Sequence, residues 1–233
     1  MATGTSARIP VSRAHTTRPV RLSLLGTFVL TEASGQHVTI ASPRAQSLVA
    51  YLVLHRGAAQ PRRQIASALW PDSSEAQAHN SLRQLVHQLR RAWPDAHQLL
   101  DVRGGTLALG TGADDGPDLE VDVDRYEMAV AAALAIDDNT DPGAARTASE
   151  HAADLYRGAF LTGIDDEWVD DERGRLSSIH ERVLDRLIGL LERAGDYGAA
   201  IERAEQRLRI DPDRKSTRLN SSHIQKSRMP SSA

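Results

Sequence analysis

The sequence predicts a mainly α chain with small β elements, an N-terminal winged helix-turn-helix followed by an all-α helical domain. Three observations carry this. Within 74–93, apolar residues fall at Ala78, Leu82, Leu85, Val86, Leu89 and Trp93, the i, i+3, i+4, i+7 rhythm of a helix with one buried side. Directly after it, two short β runs meet at Gly104-Gly105. From residue 120 the pattern is helical throughout, broken at Asp141-Pro142, Gly158, Gly163, Gly195 and Asp211-Pro212.

In chain order, residues 1–18 are rich in Thr, Ser, Arg and Ala without periodicity and read as a disordered basic arm. Val20, Leu22 and Leu24 then alternate with polar residues. Phe28 and Leu30 repeat the alternation after Gly26, and Ser34-Gly35 turns into His37–Ile40. A small antiparallel sheet of three or four strands is expected there. Ser42 can cap a first helix, Pro43 suits its first turn and Gly57 its end. Pro61 opens a second helix, Arg62 to Trp70, which Pro71 stops. Asp72-Ser73-Ser74-Glu75 then offers cap-type residues with a carboxylate placed for a capping box at the start of the third helix. Residues 99–103 and 106–109 form a hairpin. Residues 19–110 are thus one unit and 111–119 a polar linker. The 120–212 half is expected to hold helices near 122–137, 143–157, 166–194 and 197–209. Within it, Leu187, Leu190 and Leu191, then Gly195-Asp196-Tyr197, Ala199-Ala200, Ala204 and Leu208 resemble a tetratricopeptide (TPR) repeat, so the half is TPR-like.

The third helix carries the functional signal. At about 100° per residue, Asn80, Gln84, His87 and Arg91 project opposite Leu82 and Leu89, flanked by Arg83 and Gln88. Amides and guanidiniums can pair bidentately with adenine and guanine edges in the major groove. An ordinary solvated helix face is the competing reading. In a winged helix-turn-helix the third helix enters the groove and the first two brace it. The hairpin is then the wing, with Arg103 at its turn.

Charge is divided along the chain. Residues 1–110 hold 12 Arg against 5 acidic residues, a net +7, and residues 111–212 hold 11 Arg against 25, a net −14. A polyanion-binding unit joined to one that avoids polyanions would look like this. Residues 213–233 contain both lysines of the chain, Lys215 and Lys226, whereas the preceding 212 residues use Arg 23 times and Lys never. The tail also resembles an in-frame translation of a common sequencing adapter. We expect a non-native tail on a chain truncated near Pro212.

No catalytic or metal constellation is visible. Nine histidines are scattered without HExxH spacing, and cysteine is absent. Asp165-Asp166-Glu167 and Asp170-Asp171-Glu172 could attract a divalent cation but lack the spacing and glycine of a calcium loop; a solvated helix start accounts for them. No phosphate loop or GxSxG is present. We therefore expect no enzyme and no cofactor. Without a membrane-length apolar run or a secretory signal, a cytoplasmic protein is expected.

LSLLGTFVL, SPRAQSLVAYLVLHRG, ALWPDSSEAQAHNSLRQLVHQLRRAW and VRGGTLAL resemble the OmpR-type winged helix of SARP-type transcriptional activators. VDVDRYEMAV and LYRGAFLTGIDDEWVDDERGRL resemble the bacterial transcriptional activation domain (BTAD) that follows it in that family. The resemblance implies an activator on double-stranded DNA, bound to tandem repeats as a possible homodimer and contacting RNA polymerase. By position it places Asn80, Arg83, Gln84, His87, Gln88 and Arg91 on the recognition helix and Arg103 in the minor groove. Trp70 stands where the family often puts an aromatic near the backbone, although packing the second helix explains it as well. Arg62 and Arg63 fall where phosphate contact is common, or form a solvated pair. The wing lacks the usual Gly-Tyr, carrying Gly105-Thr106-Leu107 instead. The alternative is a signalling scaffold that uses both halves to bind proteins.

Overall fold

A computed structural model of the chain describes residues 18–109 and 118–210. The expected arm (apart from Arg18), most of the expected linker, the Asp211-Pro212 step and the 213–233 tail lie outside the described residues.

The alternation after Val20 becomes three short strands, β1 (Val20–Ser23), β2 (Val29–Thr31) and β3 (His37–Val38). They are antiparallel, with Leu22 opposite Leu30 and Leu30 opposite Val38. Gly26, at φ +104°, supplies a left-handed turn between the first two. Helix α1 (Pro43–Leu54) follows, its N-cap Ser42 accepting from the Ala45 amide. His55, not Gly57, closes it, donating its amide to the Tyr51 carbonyl at 3.2 Å.

Strand β4 (Gln60–Pro61) precedes α2 (Arg62–Leu69), and Trp70 caps α2 rather than continuing it. Helix α3 (Glu75–Ala92) buries Ala78, Leu82, Leu85, Val86 and Leu89. Its capping box pairs Ser74 with the Gln77 amide, not with a carboxylate, because Gln77 occupies the third helical position. Trp93 caps α3 and is fully buried in the core.

A one-turn helix, α4 (Ala96–Leu99), intervenes before the hairpin, so the first hairpin strand begins at Leu100 rather than Leu99. Strands β5 (Leu100–Arg103) and β6 (Thr106–Leu109) pair antiparallel around Gly104, at φ +48°. The wing is three-stranded, order β4-β6-β5, with Gln60 opposite Leu107. The sequence does not predict that third strand, since two residues ending in Pro61 carry no alternation.

The larger correction is β7 (Leu119–Val121). Leu119 belongs to the expected linker and the sequence beyond it predicts helices alone, yet β7 pairs parallel to β1, with Leu22 opposite Val121. The first sheet is therefore mixed, ordered β3-β2-β1-β7. Helices α5 (Asp122–Ala135), α6 (Pro142–Leu155), α7 (Glu167–Arg193) and α8 (Tyr197–Ile210) follow, each packed on the next. Asp141 caps α6, accepting the Ala144 amide at 2.9 Å. Buried leucines and valines of α7 and the alanines of α6 fill this half. Among the described residues no helix is long and apolar enough to cross a membrane.

The two halves share one core and a dense joint. Beside the β1–β7 pairing, the Asp122 carboxylate accepts the amides of Leu24 at 2.8 Å and Leu25 at 3.0 Å. The Leu161 amide donates to the Leu24 carbonyl and the Gly26 amide to Ala159. Gly158 passes so close to Gly26 that a Cβ on it would lie 3.3 Å from the Gly26 Cα. Farther along, Asp166 takes bonds from Arg44 and Ser47 of α1, and Trp168 Nε1 donates to Ser47 Oγ at 3.2 Å. Asp166, from the acidic run read as a solvated helix start, is thus buried in the joint.

Candidate nucleic-acid interface

The apolar stripe of α3 is fixed by burial, and that fixes its opposite face. Asn80, Arg83, Gln84, His87, Gln88 and Arg91 are all exposed, and Arg90 with them. None of these side chains makes a hydrogen bond or ion pair with another described residue. Glu75, in the first turn, is the only carboxylate on the helix. The face is a run of amide and guanidinium donors whose hydrogen-bonding capacity is turned outward.

Arginines of the helical half are differently disposed. Of the eleven between 118 and 210, eight are in ion pairs, such as Arg175 with Glu127 and Glu172, and Arg186 with Asp138. The carboxylate excess of that half neutralises its own cations. On α3, by contrast, all three arginines, Arg83, Arg90 and Arg91, lack a partner among the described residues and share the helix with a single carboxylate.

The surrounding expectations divide. Arg103 is at the hairpin turn and exposed, but its Nε bonds the Asp101 carboxylate at 3.0 Å. Arg63 is similarly paired with Glu75 at 3.2 Å. Such exposed pairs contribute at most about 1 kcal/mol and exchange readily for a phosphate. Arg62 is half-buried; its amide donates to the Gly105 carbonyl at 2.8 Å, and its Nε is buried without a partner among the described residues. It ties α2 to the wing turn. Trp70 is half-buried on the core, with the Arg44 guanidinium 6.0 Å above its ring. That position suits packing at least as well as backbone contact.

Sequence reasoning did not single out Arg44, Ser47, Asp122 or Trp168, which join the halves. Each works through a partner roughly 100 residues away, so no local pattern announces it. Among the described residues no cluster of His, Asp or Glu is arranged to hold a metal.

Residues 35–105 match the family model described as "Transcriptional regulatory protein, C terminal", and residues 121–220 match "Bacterial transcriptional activator domain". No curated protein matches the chain. Among solved structures the chain is similar to Mycobacterium tuberculosis EmbR, solved in complex with a low affinity phosphopeptide. The TM-score is 0.69 at 20% identity over 84% of this chain, and the likeness is one of fold. The match spans about half of the EmbR chain, 52%.

Proposed function

From a chain that belongs to the SARP-type transcriptional regulators, an OmpR-type DNA-binding winged helix followed by a bacterial transcriptional activator domain, we propose an activator that reads its operator with α3. The observation that carries this is the outward, acid-poor face of α3, whose three arginines have no partner among the described residues. In this reading Asn80, Gln84, His87 and Arg91 face base edges in the major groove, with Arg83 and Gln88 at its margins. Arg103 exchanges Asp101 for a phosphate or minor-groove contact. Arg62 and Arg63 approach the backbone at the start of α2, and Trp70, at its end, lies near the sugar-phosphate backbone. The acidic helical half, repelled by the duplex, faces RNA polymerase or a second copy bound at a tandem repeat.

Binding to operator duplex is expected to weaken steeply with salt, since each neutralised phosphate adds about 0.9 to the slope of log K against log salt. Replacing both Gln84 and Arg91 with Ala is expected to remove discrimination between operator and scrambled duplex, each good base pairing being worth about 1–3 kcal/mol. Fluorescence anisotropy on both duplexes reads this; an unchanged preference takes these two residues out of the readout. Arg103→Ala should weaken both duplexes alike and lower the salt slope by about 1. Absence of any salt-dependent duplex affinity would favour a protein-binding scaffold instead.

A further inference from the structure

A cleft of about 990 Å³ lies in the helical half, away from α3. That size is typical of small-ligand sites. Its walls are the 156–159 segment, the first half of α7 and α8 from Glu202 onward. Four guanidiniums line it against two carboxylates, and their availability differs. Arg173 is committed to Asp170 and to the carbonyls of Phe160, Leu161 and Ile164. Arg203 donates to Asp154 and Gln206, each at 3.1 Å, in a surface pair that a stronger anion can displace. Arg209 reaches Glu205 only at 3.7 Å. Arg157 is exposed and makes no hydrogen bond or ion pair among the described residues.

An independent observation comes from the cleft floor. His180 is fully buried there, and neither Nδ1 nor Nε2 has a partner among the described residues. Its ring stacks on Tyr156, with centroids 4.1 Å apart and planes inclined by 14°, and Tyr156 also lines the cleft. A neutral imidazole carries one N–H donor and one acceptor nitrogen, so leaving both unpaired in the interior is unfavourable. The cost is recovered when a polar group enters from the cleft.

We propose that this cleft binds a small polyvalent anion, its carboxylate or phosphate held by Arg157 and Arg203 and one of its polar atoms bonded to the His180 ring. The site is separate from α3 and stands whether or not α3 reads DNA. Glu202, exposed at the rim, favours a ligand that also carries a donor group.

Titration calorimetry of the full chain with citrate and with pyrophosphate, at constant ionic strength, separates the carboxylate and phosphate sources. One of the two is expected to bind saturably. Arg157→Gln, at an exposed position without an ion pair, should weaken that binding at least tenfold, and Arg203→Gln similarly. In the wild-type chain labelled with ¹⁵N-histidine, the His180 ring resonances should shift along the same isotherm. Non-saturable heats with both anions would overturn the proposal, as would an affinity untouched by Arg157→Gln or stationary His180 resonances. Binding lost in Arg91→Gln but retained in Arg157→Gln would place the anion on α3 and overturn it too.

Discussion

Asp122→Ala is expected to lower the free energy of unfolding by roughly 2–4 kcal/mol, as measured by chemical denaturation. The two carboxylate oxygens accept the amides of Leu24 and Leu25 at 2.8 and 3.0 Å. Those amides leave β1 where it meets β7, in residues that are almost wholly buried. Alanine gives them no acceptor, and an unmet buried donor costs about 1–3 kcal/mol. Part of this is offset because the carboxylate is itself costly to bury. Burial raises the Asp122 pKa, opposed by the bonds from Leu24 and Leu25 and by the charge of Arg157. Asp122→Asn keeps the shape and one acceptor oxygen, and should fall between. A change within about 0.5 kcal/mol, the range of an ordinary surface substitution, would mean that β1 and β7 are held by strand pairing alone.

The joint also explains what could and could not be seen in the sequence. A helix face depends only on local periodicity, so the exposed row from Asn80 to Arg91 followed directly from the positions of Leu82, Leu85 and Leu89. The hairpin followed from Gly104-Gly105 for the same reason. By contrast β7 is three residues long, and its identity as a strand comes from Leu119–Val121 lying against β1, about a hundred residues earlier. Asp166 read as one of several solvated acids, because nothing nearby shows that Arg44 and Ser47 will close over it. The candidate site divides along the same line. Exposure of Gln84 and Arg91 was legible; the pairing of Arg63 with Glu75 and of Arg103 with Asp101 was not, because it depends on side-chain rotamers rather than on pattern.

His180 should make the chain acid-labile in a window where most carboxylates remain ionised. Burial, with a smaller contribution from the Arg203 charge, pushes its pKa down from 6.5 to about 4. Its neutral ring is held between Tyr156 and the edge of Tyr126. In the unfolded chain the imidazole takes up a proton below about pH 6.5, whereas in the fold it resists protonation down to about pH 4. The stabilisation is therefore complete above pH 6.5 and is lost as pH falls towards 4, by on the order of 3 kcal/mol in all. Asp122 acts in the opposite direction, since a carboxyl whose pKa is raised by folding gains stability as pH falls. The difference between wild type and His180→Phe removes that background, and phenylalanine preserves the stack on Tyr156. Urea unfolding at half-unit pH steps from 4 to 7 should show wild type losing stability relative to His180→Phe as pH falls, the gap between the two widening from about pH 6.5 towards 4. Parallel curves would show that the ring is already protonated in the fold or solvated through the cleft, and the buried neutral imidazole would have to be abandoned.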